Sequence, residues 1–137
     1  MLNIFSKFNT FYHLGNDDLK TGLSELFFDN KIRLFVAASL FINIIIWTAS
    51  LLFNVNVKDT IVALHHNIYF GIDLIGNSGQ IYFIPLLGII FIITNIIFAY
   101  LVRREGIFFV YLFTASALLI NFFLLLGLGS IILINFR

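Results

Sequence analysis

The residues of this chain whose types could do chemistry lie close together: His65, His66, Asn67 and Asp73, with Tyr69 among them. Imidazole and carboxylate suit zinc or a similar ion, and a His–Asp pair suits proton transfer. The spacing serves neither task well. Adjacent histidines on a strand point to opposite faces, so only one of them joins Asp73 readily, and the segment offers too few ligands for a metal. G-x-S-x-G, H-E-x-x-H and Walker-type phosphate loops do not occur in the sequence. The absence of cysteine removes thiolate metal sites, iron–sulfur clusters and cysteine nucleophiles. The expectation is therefore a loop fixed by a structural network between His65 and Asp73, with His65, His66, Asn67, Tyr69 and Asp73 as partner-binding residues. No catalytic group, metal or cofactor is expected.

The stretch that carries these residues, 54–80, has a period of two: Val62, Leu64, Ile68, Phe70, Ile72 and Leu74 are apolar and His66 interrupts them. That period predicts extended structure. Gly71, and then Gly76 with Asn77, Ser78 and Gly79, provide turn chemistry to fold it back. So apolar a segment must pack on the ends of other elements or bury a face in a membrane interface.

Those other elements are written in the charge distribution. Of 137 residues 61% are hydrophobic and 11% charged, against about 25% charged in an average soluble domain, and the mean hydropathy is +1.03. No charge falls in Leu34–Val57, Leu74–Val102 or Gly106–Phe136, runs of 24, 29 and 31 residues. About 20 apolar residues of helix cross a bilayer, and lipid offers backbone groups no other partner. We expect an all-α membrane protein, a single domain with three transmembrane helices at 34–53, 82–101 and 107–133 and an extended outer loop at 54–80. Lys7, Lys20, Lys31 and Arg33 precede the first span, Lys58 alone lies between the first two, and Arg103 and Arg104 fill the next turn. The positive-inside rule then places the N-terminus in the cytoplasm and residues 54–80 outside a bacterial inner membrane. Charge breaks up residues 1–33, so they do not read as a cleaved signal peptide. A net charge of +1 gives no field for nucleic acid.

Residues 1–33 are expected to form amphipathic interfacial helices on the cytoplasmic leaflet. Met1, Ile4, Phe5, Phe8, Phe11 and Tyr12 share one helical face, and Gly15 is the joint. After it, Asn16 or Asp17 caps a second helix with Leu19, Leu23 and Phe27 on one stripe.

Each span carries one central asparagine on a stripe of small or hydroxyl residues: Ser39, Asn43 and Ser50; Pro85, Gly88, Asn95 and Ala99; Thr114, Ala117 and Asn121. Small residues let membrane helices approach closely, and amides avoid lipid, so the stripes should face inward and the amides should act as packing glue. At 1.5 Å per residue, Asn43 lies about 14 Å from the cytoplasmic end of its span, Asn95 about 9 Å and Asn121 about 21 Å. A direct Asn43–Asn95 contact is expected, with Asn121 turning to Ser50, Thr48 or the outer loop. Pro85, just inside its span, is expected to initiate the helix.

The order His65, His66, Asn67, then Gly71, Asp73 and Gly76, followed by Pro85 in the next apolar span, resembles a short membrane domain of unknown function found in immunity proteins of the bacterial sporulation-delaying toxin system. The resemblance covers residues 60–100 and departs in the Asn67–Gly71 spacing, in the missing proline before the histidine and in the number of spans. It implies an immunity- or sensor-like role. The functional expectation is a non-enzymatic membrane protein that binds another membrane component, a second protein or itself, through 54–80. The alternative is an oligomeric small-ligand transporter.

Overall fold

Asp29 starts the first long helix: its carboxylate accepts the Lys31 amide at 2.7 Å, which satisfies one of the donors a helix start leaves orphaned. In this computed structural model residues 20–57, 61–67, 69 and 71–136 are described, without the side chains of His66, Asn67 and Asp73. Residues 20–28 are helical (α1) and break at Asp29 into α2, Asn30–Asn56. Strands β1, Ile61–Asn67, and β2, Gly71–Asn77, follow. A 3-10 turn over Ser78–Tyr82 leads into α3, Phe83–Leu101, and α4 spans Ile107–Asn135.

Three of these helical segments, Asn30–Asn56, Ser78–Leu101 and Ile107–Asn135, are long and apolar enough to cross a membrane. Their packing faces follow a near-heptad spacing. In α2 the buried residues are Ile32, Val36, Ser39, Asn43, Ile46, Ser50 and Phe53, and in α3 they are Pro85, Gly88, Ile92, Asn95 and Ala99. Val110, Thr114, Ala117, Asn121 and Leu128 continue the pattern in α4. Alternating steps of three and four residues generate the shallow crossing of left-handed bundles. Every small or hydroxyl residue of the three sequence stripes lies on a buried face. Leu40, Phe41, Ile44, Phe91, Ile97 and Leu119 point away from the bundle, the arrangement expected where the surrounding solvent is lipid.

Two apolar clusters hold the ends. Leu26, Ile32, Val36, Ala99 and Val110 form one beneath α1, and Ile46, Phe53, Val62, Ile81 and Leu128 form the other beneath the hairpin. In α1, Leu26, 6% exposed, packs into the first cluster with Phe27 at its edge, and Leu23 is 37% exposed. Gly22 packs closely on the end of the bundle: a Cβ there would be 2.8 Å from Tyr100 Cε2 and 2.9 Å from Arg103 Nε. The amphipathic segment at 1–14, Gly15 and Leu19 lie outside the described residues.

Residues 61–67 and 71–77 pair as a two-stranded antiparallel hairpin, matching the period-two pattern. Gly71, at φ +76°, provides the left-handed backbone at the end of the reversal. Gly76, expected in a turn, lies within β2 opposite Val62.

Candidate functional site

The hairpin register decides what the histidine segment can do. Ala63 faces Ile75, His65 faces Leu74 and His66 faces Ile72, so Leu64 on β1 and Asp73 on β2 are each left as an extra residue. Such compensating bulges twist a ladder and shift side chains off strict alternation. Before the first bulge, Val62 and Ala63 are both buried while Ile61 is 67% exposed. Asp73 is therefore not the cross-strand partner of His65; Leu74 is. The side chains of His66, Asn67 and Asp73, and with them the expected His65–Asp73 network, lie outside what is described. His65 is exposed and borders a groove of about 340 Å³ between β1, the start of α3 and α4, lined by Leu64, Ile84, Phe123, Leu128 and Ile131. Tyr69, at the tip, is 88% exposed. Among the described residues no group of three His, Asp or Glu is placed to hold a metal ion.

Beside the apolar contact of Val62, a side chain of α4 ties the hairpin to the bundle. Asn135, in the last turn of α4, accepts from the Ala63 amide at 2.9 Å and donates through Nδ2 to the Ala63 carbonyl at 2.8 Å. An amide pairing with both backbone groups of one residue imitates a neighbouring strand, and so covers part of the β1 edge. On β2, Ile72, Leu74 and Ile75 are 50–61% exposed. At the base, Tyr82 stacks on Trp47 with centroids 6.0 Å apart and accepts from Asn54 Nδ2 at 3.1 Å. The role of Asn135 could have been suspected only from its being an amide at the end of an apolar run.

In the bundle centre the three helices meet at two amides. Asn43 Nδ2 donates to the Pro85 carbonyl and to Asn121 Oδ1, both at 3.0 Å. Asn121 Nδ2 donates to the Ala117 carbonyl at 2.9 Å and reaches the Gly88 carbonyl at 3.4 Å. The expected Asn43–Asn95 contact is not what the structure has: Asn95 Nδ2 donates to Phe91 in its own helix at 2.8 Å. Thr48 likewise bonds its own helix, at Ile44, while Ser50 Oγ is buried without a hydrogen-bond partner. The reason is the start of α2. The charge-free run begins at residue 34, but the Asp29 cap begins the helix at Asn30. Asn43 is then about 20 Å from its helix start and Asn121 about 21 Å from that of α4. Asn95 is about 9 Å from the Leu101 end, a different level. Gly88 makes room for the pair, because a Cβ there would press on Asn43 Nδ2 and lie 2.5 Å from Asn121 Oδ1. Pro85 occupies the first turn of α3, where its missing amide costs little.

A third polar assembly lies at the α1 end and includes Arg103 and Arg104, the turn arginines that point to orientation in the sequence. Thr21, Glu25, Asp29, Arg103 and Arg104 surround a cavity of about 350 Å³. Its floor is apolar and buried: Leu26, Ile32 and Val110. The Tyr111 hydroxyl donates to Asp29 Oδ2 at 2.7 Å, and Lys31 Nζ lies 5.6 Å from the Tyr111 ring centroid. The Tyr111 bond first, and the Lys31 amide second, hold the Asp29 carboxyl below its usual value of 3.8. Arg103 lies over the Tyr100 ring, 4.0 Å from its centroid, and donates to the Tyr100 carbonyl at 3.0 Å. The signal for this assembly was the crowding of charge at one end of all three spans.

No family model matches the chain, and neither a curated protein nor a solved structure shows significant similarity to it.

Proposed function

We propose that this chain is a non-enzymatic integral membrane protein that binds another membrane component through the hairpin at 61–77. One observation carries the reading: a hairpin pinned to α4 by Asn135 presents Tyr69, Ile72, Leu74 and Ile75 outward, each at least half exposed. Anchoring keeps the ordering cost of binding low, and exposed aromatic and apolar side chains beside an open strand edge are what strand-pairing recognition uses. The orientation we propose, from the distribution of Lys and Arg, has the N-terminus in the cytoplasm of a bacterial cell and the hairpin beyond the inner membrane. The resemblance of residues 60–100 to immunity-protein domains supports an immunity- or sensor-like version of this role.

A photo-crosslinking residue at position 69, in native membranes, is the test. One reproducible protein adduct is expected, and Ile75→Lys should remove it. Adducts to lipid alone, or an adduct indifferent to Ile75→Lys, would refute the reading.

The second reading, an oligomeric small-ligand transporter, would use Asn43, Asn95 and Asn121 as a path. The first and last are occupied by each other and by backbone carbonyls of the neighbouring helix, which favours adhesion between helices over conduction. Asn95→Leu with intact assembly and lost flux would restore the transport reading.

A further inference from the structure

The cavity at the α1 end carries charges of both signs on an apolar floor, at the level where all three long helices begin or end. Two guanidinium groups, Arg103 and Arg104, come from the α3–α4 turn, and two carboxylates, Glu25 and Asp29, come from α1 and its junction with α2. Its size, about 350 Å³, falls at the small end of the roughly 300–1,000 Å³ typical of small-molecule sites. We propose that this cavity binds a phosphoethanolamine group, supplied by the headgroup of a zwitterionic phospholipid, with the phosphate on the arginine wall and the ammonium on the carboxylate wall.

The chemistry selects among headgroups. Planar guanidinium groups match phosphate oxygens in paired hydrogen bonds. A primary ammonium has three donors for carboxylates, whereas a trimethylated one has none. An anionic headgroup without an amine would leave Glu25 and Asp29 facing a like charge. Two features hold the site in place before any ligand arrives. Arg103 is fixed by the Tyr100 ring and carbonyl, and by Gly22, whose added Cβ would lie 2.9 Å from Arg103 Nε. Asp29 is tied to the Tyr111 hydroxyl and the Lys31 amide and remains ionised at neutral pH. Ile107, on the cavity wall and 53% exposed, provides an apolar exit for the glycerol and acyl chains. The lipid source is favoured because the exposed apolar wall at Ile107 leads from the cavity onto the apolar outer surface of α4, where Phe108 and Leu112 are also exposed. The proposal stands apart from the hairpin and its partner, and rests only on the three helices lying in a bilayer.

The full chain in detergent is incubated with equal amounts of phosphatidylethanolamine, phosphatidylglycerol and phosphatidylcholine, and retained lipid is counted by native mass spectrometry. Phosphatidylethanolamine should dominate. Arg104→Gln should lower its retention at least about tenfold, the expectation for one charge-assisted hydrogen bond, and Glu25→Gln should shift preference toward phosphatidylglycerol. Gly22→Ala, which displaces Arg103 without changing charge, should lower retention as well. Where Arg104→Gln does not fold, Arg104→Lys keeps the charge and removes the paired geometry. Equal retention of the three lipids by the unsubstituted chain, or retention unchanged in the folded variants, would overturn the assignment. Displacement of the lipid by an equal concentration of glycerophosphoethanolamine would overturn the lipid source in favour of a soluble ligand.

Discussion

Gly88→Ala tests whether the central amides hold the three helices together. The added Cβ would press on Asn43 Nδ2 and lie 2.5 Å from Asn121 Oδ1, and neither group can retreat without breaking a bond. Three interhelical hydrogen bonds are at stake: Asn43 to Pro85, Asn43 to Asn121 and Asn121 to Gly88. At about 0.6 kcal/mol each in a membrane protein their loss costs roughly 2 kcal/mol, and overpacking adds about 1–3 kcal/mol. The better helix propensity of alanine returns about 1 kcal/mol. The net expectation is a destabilisation of roughly 2–4 kcal/mol. The single tryptophan, Trp47, stacked on Tyr82, reports unfolding in mixed micelles as the fraction of denaturing detergent rises. Gly127→Ala is the control, since nothing lies within 4 Å of a Cβ at that position, and it should be neutral or slightly stabilising. In an Asn43→Ala, Asn121→Ala background the Gly88→Ala penalty should shrink, because the clashing groups are gone. If Gly88→Ala is as stable as the unsubstituted chain, or the penalty persists unchanged in that background, the amide layer is not what fixes the helix spacing.

Asn121→Leu should cost roughly 1–2 kcal/mol, and Asn95→Leu less than about 1 kcal/mol, because only the former breaks bonds between helices; the same unfolding assay ranks them, and the reverse order would refute the pairing. Asn135→Leu leaves the Ala63 amide, on a residue 8% exposed, without its partner, at a cost of about 1–3 kcal/mol. It should raise hydrogen exchange and protease cleavage across 61–77 while leaving α2, α3 and α4 protected. Asp29→Asn keeps the side-chain acceptor for the Lys31 amide but removes the charge. Because the carboxyl is held below its unfolded value, its contribution is fully present above about pH 4 and fades as pH falls through the folded value. The melting temperature of Asp29→Asn should therefore lie below that of the unsubstituted chain at pH 7 and converge with it as pH falls through the folded carboxyl value.

Composition and charge spacing determined the number of long helices, since uninterrupted apolar runs have one economical conformation where the solvent offers no hydrogen bonds. Residue size determined which faces meet: the sequence stripes of α2, α3 and α4 are the buried faces. A period of two determined the hairpin strands. Partners were a matter for tertiary structure. Which asparagines meet depends on the level of each in the bundle, and that level follows from the Asp29 cap five residues before the charge-free run begins. The docking of α1 brings Gly22 against Tyr100 and Arg103, a contact between residues about 80 positions apart. Asn135 and Ala63, 72 residues apart, find each other only once α2 and α4 set the height of the hairpin. Local pattern records the solvent each residue prefers. Pairing across distant segments depends on where helices start, stop and touch, and those positions are fixed by the assembled bundle.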